Sequence, residues 1–429
     1  MSTEILGIPT PAGGVIHAGV YSDPALFERE QALLFRRTWL YVGHDSQAPK
    51  AGDFYTTTLA GEPVIAIRGE DGRMRVFFNR CPHRGAILSR HACGHAQRVV
   101  CGYHGWTFLP SGALDSIPWQ EGYDGTPVVN DPAAFGLPPV PRCDSYRGFL
   151  FASLAESGQG LVDYLGPGAI NLDNLVERSP IGEIEVAFGV FRMVQRNNWK
   201  VYLENLHDGV HAVPTHQSSI EPAKHAMEQA RSEWTAMRAE IVAANSQPPR
   251  AMANVAVNCY ANGHSDMSAF RKTRPQTPGQ IEYEALLAER VGRDGVERIL
   301  GIDRNNAVFY PGLTVQPNYM QLRIIVPLSV DRTRVDIYSF RLKGAPDWIN
   351  NRILAFANTI HSPASLVRAD DLENFERIQD GYAARTAPWV SAHRDLAREG
   401  DEPVGPSNAM SERYVRNQFA AWTQYMSAP

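Results

Sequence analysis

The 429-residue sequence predicts an α+β protein, in which a small β domain precedes a larger domain of helices and antiparallel strands. Between Trp39 and Leu154, short runs of β-forming residues alternate with Gly, Pro and Asp turns. Beyond residue 158, amphipathic helical stretches surround two strand-like runs that a polar turn separates. The predicted parts are an N-terminal helical segment packing on the larger domain (1–38), the β domain (39–158) and the larger domain (159–429).

The composition is that of an ordinary globular protein, with 44% hydrophobic and 10% aromatic residues. A formal net charge of −5 gives no basic surface for nucleic acid. The sequence has no run of about 18 apolar residues, which a membrane-spanning helix needs, and its start, MSTEILGIPTPAGG, does not have the pattern of a signal peptide. Five cysteines, an odd number, disfavour a disulfide framework. We therefore expect a cytoplasmic protein that binds neither nucleic acid nor membrane.

The first predicted helix covers Ser22 to Leu40, because Asp23 and Pro24 are typical of a helix start and an apolar side follows them. Strand-like runs come next, and the turn residues Asp71-Gly72 separate the first two. In chain order the predicted strands are Val64–Ile67, Met74–Phe78, Val99–Val100, Trp106–Phe108, Gly148–Phe151, Ile184–Gln195, then the antiparallel pair 319–326, ended by Pro327, and 333–343.

A second helix is predicted from Trp199 to Val213, with Asn198 as its cap and Pro214 at its end. The remaining predicted helices are 224–242, 275–301, 345–379 with a break at Pro363, and an aromatic-rich terminal helix that begins at Glu412.

The helix predicted at 199–213 carries a polar row on a largely apolar element. At helical spacing Asn205, Asp208 and His211 lie three positions apart and share a face. Burying a row of Asn, Asp and His is costly unless something binds it, and iron is the obvious candidate. The alternatives are a solvated surface face or a core histidine whose hydrogen bonds are satisfied within the protein.

Two histidine pairs are open as metal ligands here. His207 and His211, four positions apart, form the usual one-turn pair. His216 joins His211 only where the helix has ended, since five positions turn an ideal helix through about 140°. Pro214 supplies such a break, so local spacing leaves both pairs open.

Two short loops, Cys81-Pro-His83 and Cys101-Gly-Tyr-His104, give the strongest signal in the chain. Zinc fingers usually take two cysteines from one element and two histidines from another. The interleaved order Cys, His, Cys, His instead suits a [2Fe–2S] centre with both cysteines on one iron and both histidines on the other. Structural zinc, which accepts the same four residues, is the alternative. Gly85 and Gly105 fit tight loops whose backbone N–H groups approach the sulfides.

A mononuclear iron that activates dioxygen typically has two histidines and one carboxylate. Asp371 is the best candidate for that carboxylate, because Asp370 falls on a neighbouring polar stripe of the same predicted helix. Asp371 shares its own stripe with Phe375, Ile378 and Tyr382. An aspartate among such residues requires an ion pair or a metal, and the alternative is an acidic residue stabilised by the helix dipole.

The motifs CPHRG…CGYHGW and NWK…ENLHDGVH…H resemble the oxygenase α subunits of Rieske non-haem iron ring-hydroxylating oxygenases, over essentially the whole chain. The family pattern E-N-x-x-D-x-x-H-x-x-x-x-H fits Glu204 to His216 position by position. The resemblance implies a [2Fe–2S] cluster on Cys81, His83, Cys101 and His104, and a mononuclear Fe(II) on His211, His216 and Asp371, without His207.

The same resemblance implies a Rieske domain joined to a helix-grip catalytic domain that is built on a large antiparallel sheet. It also implies a head-to-tail homotrimer, or an α3β3 assembly where a β subunit is present, in which one subunit's cluster faces the next subunit's iron. Asp208 would bridge the two centres, accepting from His104 across the interface and from His211 in its own chain. Asn205 is the second catalytic candidate in this motif.

The expected reaction is hydroxylation of a small aromatic substrate by O2, to a cis-dihydrodiol or a phenol. Electrons from NAD(P)H would arrive through a separate reductase, with or without a ferredoxin, because the chain has no nucleotide-binding motif. An aromatic acid is among the expected substrates, and Arg323 or Arg341 would pair with its carboxylate, although a solvated strand residue is the favoured interpretation of each. The alternatives are a Rieske monooxygenase that demethylates a small amine or ether, a Rieske electron-transfer protein without oxygenase activity, and a zinc-stabilised binding module.

Overall fold

The computed structural model describes residues 4–243, 247–271, 274–362, 365–384 and 386–427. The chain divides into two compact units, the smaller at Phe35–Tyr164 and the larger formed by Met1–Leu34 with Leu165–Pro429. Within the described ranges, no helix combines the length and the apolar character needed to cross a membrane. Pro363, where the sequence predicts a helix break, lies outside the described residues.

The smaller unit is a β structure, as predicted. Its four-stranded sheet has the spatial order Met74–Phe78, Glu62–Arg68, Asp53–Leu59 and Cys93–His95. Two three-stranded sheets accompany it, one of Arg142–Tyr146, Phe149–Ser153 and Leu40–His44, the other of Leu114–Ser116, Thr107–Phe108 and Val99–Val100. Strand Glu62–Arg68 serves two cores because its side chains alternate. Val64 and Ala66 face one core, and Ile65 and Ile67 face the other, which also contains the two motif cysteines.

The larger unit contains an eight-stranded antiparallel sheet, which confirms the predicted sheet class. In spatial order its strands are Ile184–Gln195, Arg332–Leu342, Gln321–Ser329, Leu313–Gln316, Ile302–Phe309, Ser265–Phe270, Ala256–Cys259 and Gly405–Asn408. The prediction that Pro327 ends its strand is wrong. Pro327 lies within the strand, opposite Thr333. The register shifts immediately after Pro327, and a proline without an N–H group is tolerated at such an irregularity.

Helices of the larger unit pack around this sheet. Those of ten residues or more are Ala212–Glu228, Glu233–Ala243, Pro278–Leu300, Asp347–Phe356, Leu366–Gly381 and Arg413–Met426. Shorter helices are Gly19–Ser22, Pro24–Glu30, Ile170–Glu177, Trp199–Asn205, Pro249–Met252 and Leu396–Glu399. Glu30 is buried among them: it pairs with the Lys200 ammonium and accepts indole N–H bonds from Trp199 at 2.8 Å and Trp422 at 2.7 Å. One carboxylate thus joins the N-terminal segment to the terminal helix.

The helix predicted at 22–40 is shorter than expected. The Asp23 carboxylate caps helix Pro24–Glu30 by accepting from the Leu26 N–H at 2.8 Å, and a π-helical turn follows at Gln31–Phe35. From Leu40 the chain is a strand that pairs with Phe149–Ser153. Long-range pairing of this aromatic and β-branched run therefore overrides the local helical pattern.

The helix predicted from Trp199 to Val213 is in fact two helices. The first, Trp199–Asn205, has the predicted Asn198 cap, and the second begins after His211. Asp208 Oδ1 accepts the Val210 N–H at 2.7 Å, a local bond that competes with helical hydrogen bonding. Pro214 does not close the first helix but lies in the first turn of the second, where an absent N–H costs little.

Candidate metal centres

The two cysteine- and histidine-containing loops of the smaller unit fold in the same way. The Cys81 N–H donates to Ala86 O at 2.8 Å and the Gly85 N–H returns to Cys81 O at 2.9 Å. The second loop repeats both bonds, from Cys101 to Trp106 O at 2.8 Å and from Gly105 to Cys101 O at 3.0 Å. Gly85 and Gly105 have φ of +76° and +70°, a conformation that favours glycine.

These loops bring together two thiols and two imidazoles. The Cys101 thiol and the backbone N–H groups of His83 and Arg84 lie close enough to the Cys81 sulfur to shift its pKa. The ring centroids of His83 and His104 are 4.6 Å apart. This pairing of like ligands agrees with two cysteines on one iron and two histidines on the other.

Burial shifts the pKa values of two groups at this first site in opposite directions. Burial, and then the neighbouring Cys101, raise the pKa of the Cys81 thiol. Burial, and then His104 and Arg84, lower the pKa of His83, so its imidazole is held in the neutral form that binds metal. A metal centre reverses the cysteine effect by stabilising the thiolate.

A second group forms in the larger unit from His211, His216 and Asp371, whose ligand atoms all lie within 4.8 Å of one another. His211 immediately precedes helix Ala212–Glu228 and His216 lies in its second turn. Asp371 comes from helix Leu366–Gly381. Its Oδ1 is 3.4 Å from His216 Nε2 and 3.9 Å from His211 Nε2.

This second group fits a metal ion chemically. Asp371 Oδ1 is buried and has no hydrogen-bond partner among the described residues. Burial lowers the pKa of His211 against the opposing effects of Asp371 and Asp208, which favours the neutral imidazole. Two neutral imidazoles and one unpaired carboxylate oxygen are the donor set of non-haem iron sites. The buried, unpaired atoms of such a set are stabilised when an ion joins them.

Asp370, which helical spacing places on the polar stripe beside that of Asp371, faces His216. Its Oδ2 is 3.4 Å from His216 Nδ1, the ring nitrogen that points away from Asp371. A carboxylate there fixes the tautomer that presents Nε2 to a metal. The signal in the sequence was the Asp370-Asp371 pair itself, since consecutive helical residues can approach one histidine from two sides.

Asp208 is held in a way that the sequence did not predict. Its Oδ1 accepts the backbone N–H of Val210 at 2.7 Å and that of His211 at 3.4 Å. Its Oδ2 pairs with Arg394 at 3.1 Å, and Arg394 also reaches Glu412 at 3.5 Å. The expected bond from the His211 ring is absent from the described residues, where His211 Nδ1 is buried without a partner.

His207 lies apart from the metal-binding group. It is fully buried, with its ring nitrogens 3.2 Å from the Ser265 hydroxyl and 3.3 Å from Asn306 O. Burial lowers the pKa of His207 to about 4. The structure therefore brings together His211 and His216 rather than the one-turn pair His207 and His211.

A cavity of about 310 Å³ adjoins this group. His211, Asp371, Asn205 and Asp208 all line it, together with Glu204. Burial raises the pKa of Glu204 to about 8, and the Tyr21 hydroxyl donates to its Oε1 at 2.9 Å. Glu204 is thus a neutral acid over most of the physiological range, which the motif alone does not reveal.

The two arginines considered as carboxylate partners differ. Arg341 is an exposed strand residue, as predicted, and its Nη1 is 3.6 Å from Glu185 Oε1. Arg323 was predicted to be solvated, and this is wrong: only 2% of it is exposed. Its strand lies in the middle of the large sheet and turns that side chain into the unit's interior.

Two family models match this chain. Residues 38–130 match the family model of the Rieske [2Fe–2S] domain, and residues 187–427 match that of the ring hydroxylating alpha subunit (catalytic domain). The α subunit of toluate 1,2-dioxygenase from Pseudomonas putida is 32% identical over 92% of this chain and 86% of its own. The large subunit of 2-halobenzoate 1,2-dioxygenase from Burkholderia cepacia is 28% identical over 95% of this chain and 88% of its own. The large subunit of anthranilate 1,2-dioxygenase from Acinetobacter baylyi is 30% identical over 90% of this chain and 81% of its own.

Solved structures share the fold. Naphthalene 1,2-dioxygenase with bound indole superposes with a TM-score of 0.79 at 23% identity, over 99% of this chain and 94% of its own. A quaternary ammonium Rieske monooxygenase gives 0.69 at 19% identity, over 96% of each chain. The two family models imply one [2Fe–2S] cluster and one mononuclear iron in this chain, supplied with electrons from a reductase. The chain belongs to the ring-hydroxylating α subunits, the Rieske non-haem iron components of multicomponent oxygenases that hydroxylate aromatic rings with dioxygen.

Proposed function

We propose that this α subunit dihydroxylates an aromatic carboxylic acid at the ring carbon that bears the carboxylate and at its neighbour. The observation that carries the proposal is the likeness to toluate 1,2-dioxygenase at 32% identity over 92% of the chain. The other two relatives described above are likewise named for 1,2-dioxygenation of a benzoate derivative. In these names carbon 1 is the carbon that carries the carboxylate.

The proposed reaction consumes the aromatic acid, one O2, two electrons and two protons. Both oxygen atoms enter the ring on one face, so the product is a cis-dihydrodiol carboxylate and no water forms. When bound, the cluster delivers single electrons and the iron activates dioxygen. The protein contributes by holding the substrate in place and keeping water out of the site.

We assign residue roles as part of this proposal. Cys81, His83, Cys101 and His104 hold the cluster, supported by the repeated loop hydrogen bonds and the pairing of like side chains. His211, His216 and Asp371 hold the iron, supported by their convergence and by the unpartnered Asp371 Oδ1. Asp370 orients the ring of His216. Asn205 lines the cavity beside the iron site, where it can contact substrate or dioxygen.

The proposed assembly is a homotrimer or an α3β3 complex that receives electrons from a reductase, with or without a ferredoxin. In it Asp208 bridges to His104 of the partner subunit, and the Arg394 pairing holds the carboxylate in place. We propose 39–158 as the cluster domain, 159–429 as the catalytic domain and 1–38 as a segment that packs on the latter, which the buried Glu30 contacts support. Cytoplasmic location remains an expectation from the odd cysteine count.

Product analysis with ¹⁸O-labelled dioxygen tests the proposed reaction. The metal-loaded chain, with a surrogate reductase, is given benzoate, p-toluate, 2-chlorobenzoate and anthranilate beside neutral aromatics and methylated amines. We expect an acid to yield a product in which both new oxygens are labelled. A singly labelled phenol would show monohydroxylation, and formaldehyde release would favour the oxidative demethylation of an amine or ether.

A further inference from the structure

Two guanidinium groups are buried next to the proposed iron site. Arg323, on strand Gln321–Ser329, is 2% exposed, and Arg368, on helix Leu366–Gly381, is 3% exposed. Arg368 lies one helical turn before Asp371, and its Nη1 is 4.0 Å from Asp371 Oδ2. Tyr202 joins the two arginines: its hydroxyl is 3.5 Å from Arg323 Nη1, and its ring lies 4.8 Å under the Arg368 guanidinium.

Neutral groups surround Arg323. Its Nη2 donates to Gln316 Oε1 at 2.7 Å and to His361 Nε2 at 3.0 Å. Burial, and then the two arginines, hold the pKa of His361 well below its usual range, so the imidazole is neutral and can accept this bond. In the part of the chain that the structure describes, no carboxylate lies within 4.0 Å of Arg323.

Several donors of the pair are left without partners. Arg323 Nε, Arg368 Nε and Arg368 Nη2 are buried and make no hydrogen bond among the described residues. Among the described residues, the carboxylate at the edge of ion-pair range of Arg368 is Asp371, and its charge is committed to the proposed iron. Two buried cations with unfilled donors are costly unless an anion joins them.

We propose that Arg368 and Arg323 form the site that binds the carboxylate of the substrate. Guanidinium donors bind carboxylates with a geometry that an ammonium group cannot match. Phe375, whose ring lies 5.8 Å under Arg368, lines the cavity beside His211 and offers an aromatic surface for the substrate ring. The position also explains the regiochemistry. When carbon 1 bears the carboxylate and is itself oxidised, the carboxylate must lie close to the iron ligands, and Arg368 Nη1 is 4.0 Å from Asp371 Oδ2.

The inference rests on the proposed function and specifies which residues select acids. It is tested in the metal-loaded oxygenase with a saturating reductase, by measuring kcat and KM for the four acids named above and for their carboxamides. Arg323→Gln and Arg368→Gln are compared with Arg341→Gln, which removes an exposed arginine from the adjacent strand. Iron and cluster content are measured for every variant.

We expect kcat/KM for the acid to fall at least about 30-fold in Arg323→Gln and Arg368→Gln, chiefly through KM. We expect kcat/KM for the carboxamide to change less than about threefold or to rise. The carboxamide is neutral, so its binding does not depend on the positive charge that each variant removes. Arg341→Gln should leave both substrates unchanged. These results, obtained with full iron and cluster content, support the carboxylate site.

The proposal is overturned if Arg323→Gln keeps the acid preference, or loses acid and carboxamide equally. Loss of iron in Arg368→Gln combined with normal acid turnover in Arg323→Gln would also overturn it, and would make Arg368 a positioning residue for Asp371. If the wild-type chain oxidises neutral aromatics and no acid, the proposed function fails and this inference fails with it. If the wild-type chain oxidises acids and the arginine variants do so equally well, the carboxylate site is refuted and the proposed function stands.

Discussion

Glu204 shows how burial changes the chemistry of a motif residue. It lines the cavity beside His211 and accepts a hydrogen bond from Tyr21, and its pKa is raised to about 8. Tyr414 donates at 2.7 Å to the Glu204 carbonyl, which further ties this residue to the terminal helix. The acid is therefore built into the wall of the site in its protonated form.

Replacing Glu204 by Gln should make stability less dependent on pH. The pKa of Glu204 is about 8 in the folded protein and near 4.5 in the unfolded chain. Protonated Glu204 therefore contributes stability that is fully present below about pH 4.5 and is lost as pH rises through 8. Between pH 5 and 8 the wild type should lose about 3 kcal/mol from this group. Thermal unfolding at both pH values should show a smaller decrease for Glu204→Gln, and equal decreases in the two proteins would contradict the assignment.

Asp370 offers a second prediction for a single residue. Because it orients His216 from the far side of the ring, Asp370→Asn should weaken iron binding about 10- to 100-fold. The [2Fe–2S] absorption should be unchanged. Chelator competition measures the affinity, and Asp380→Asn, an exposed position on the same helix, is the matched control. Equal iron retention in both variants would remove the orienting role.

At the scale of elements, the break between helices Trp199–Asn205 and Ala212–Glu228 positions the iron site. The segment between them turns tightly, and the Gly209 N–H donates to Ala409 O at 2.8 Å. A Cβ on Gly209 would lie 2.9 Å from Ala409 O and 2.8 Å from the Met252 side chain. The loop thus depends on a close approach that only glycine permits.

Gly209→Ala should therefore lower stability by about 1–3 kcal/mol and reduce iron content, since His211 follows directly. Gly381→Ala is the matched control, because nothing lies within 4 Å of a Cβ at that position. In the control the alanine should be neutral or stabilising by about 0.5–1 kcal/mol. Thermal unfolding and iron analysis compare the two. A fully stable, iron-replete Gly209→Ala protein would refute the requirement.

For the whole molecule, electron transfer in the proposed trimer depends on Asp208. Its carboxylate is fixed by two backbone N–H groups and by Arg394. Asp208→Asn should retain both metal centres and yet slow product formation by at least about 100-fold, because the charged bridge between subunits is lost. Rapid-mixing measurement of cluster oxidation in single turnover tests this, with Asp401→Asn, an exposed residue, as control. Normal turnover in Asp208→Asn would exclude the bridging role.

Short-range patterns made much of the protein predictable. Local signals gave the β-forming run Val64–Ile67, the Asn198 cap and the spacing within each Cys-x-His or Cys-x-x-His loop. The errors came where long-range contacts decide. Leu40 pairs with a distant strand instead of extending a helix. The turn that divides the helix predicted at 199–213 is held by the bond from the Gly209 N–H to the distant Ala409 O.

The sequence by itself determined the two-part α+β architecture, the cluster loops and the family resemblance, because these depend on residue type and local spacing. Residue spacing left both histidine pairs open and the resemblance selected His216, and the tertiary structure then shows His216 meeting Asp371. Only the tertiary structure decided that Asp370 faces His216 and that Arg323 is buried near Arg368. Each of these depends on which elements pack together, and burial then sets the charge and pKa of the groups that meet. That information is not carried by any single stretch of the chain.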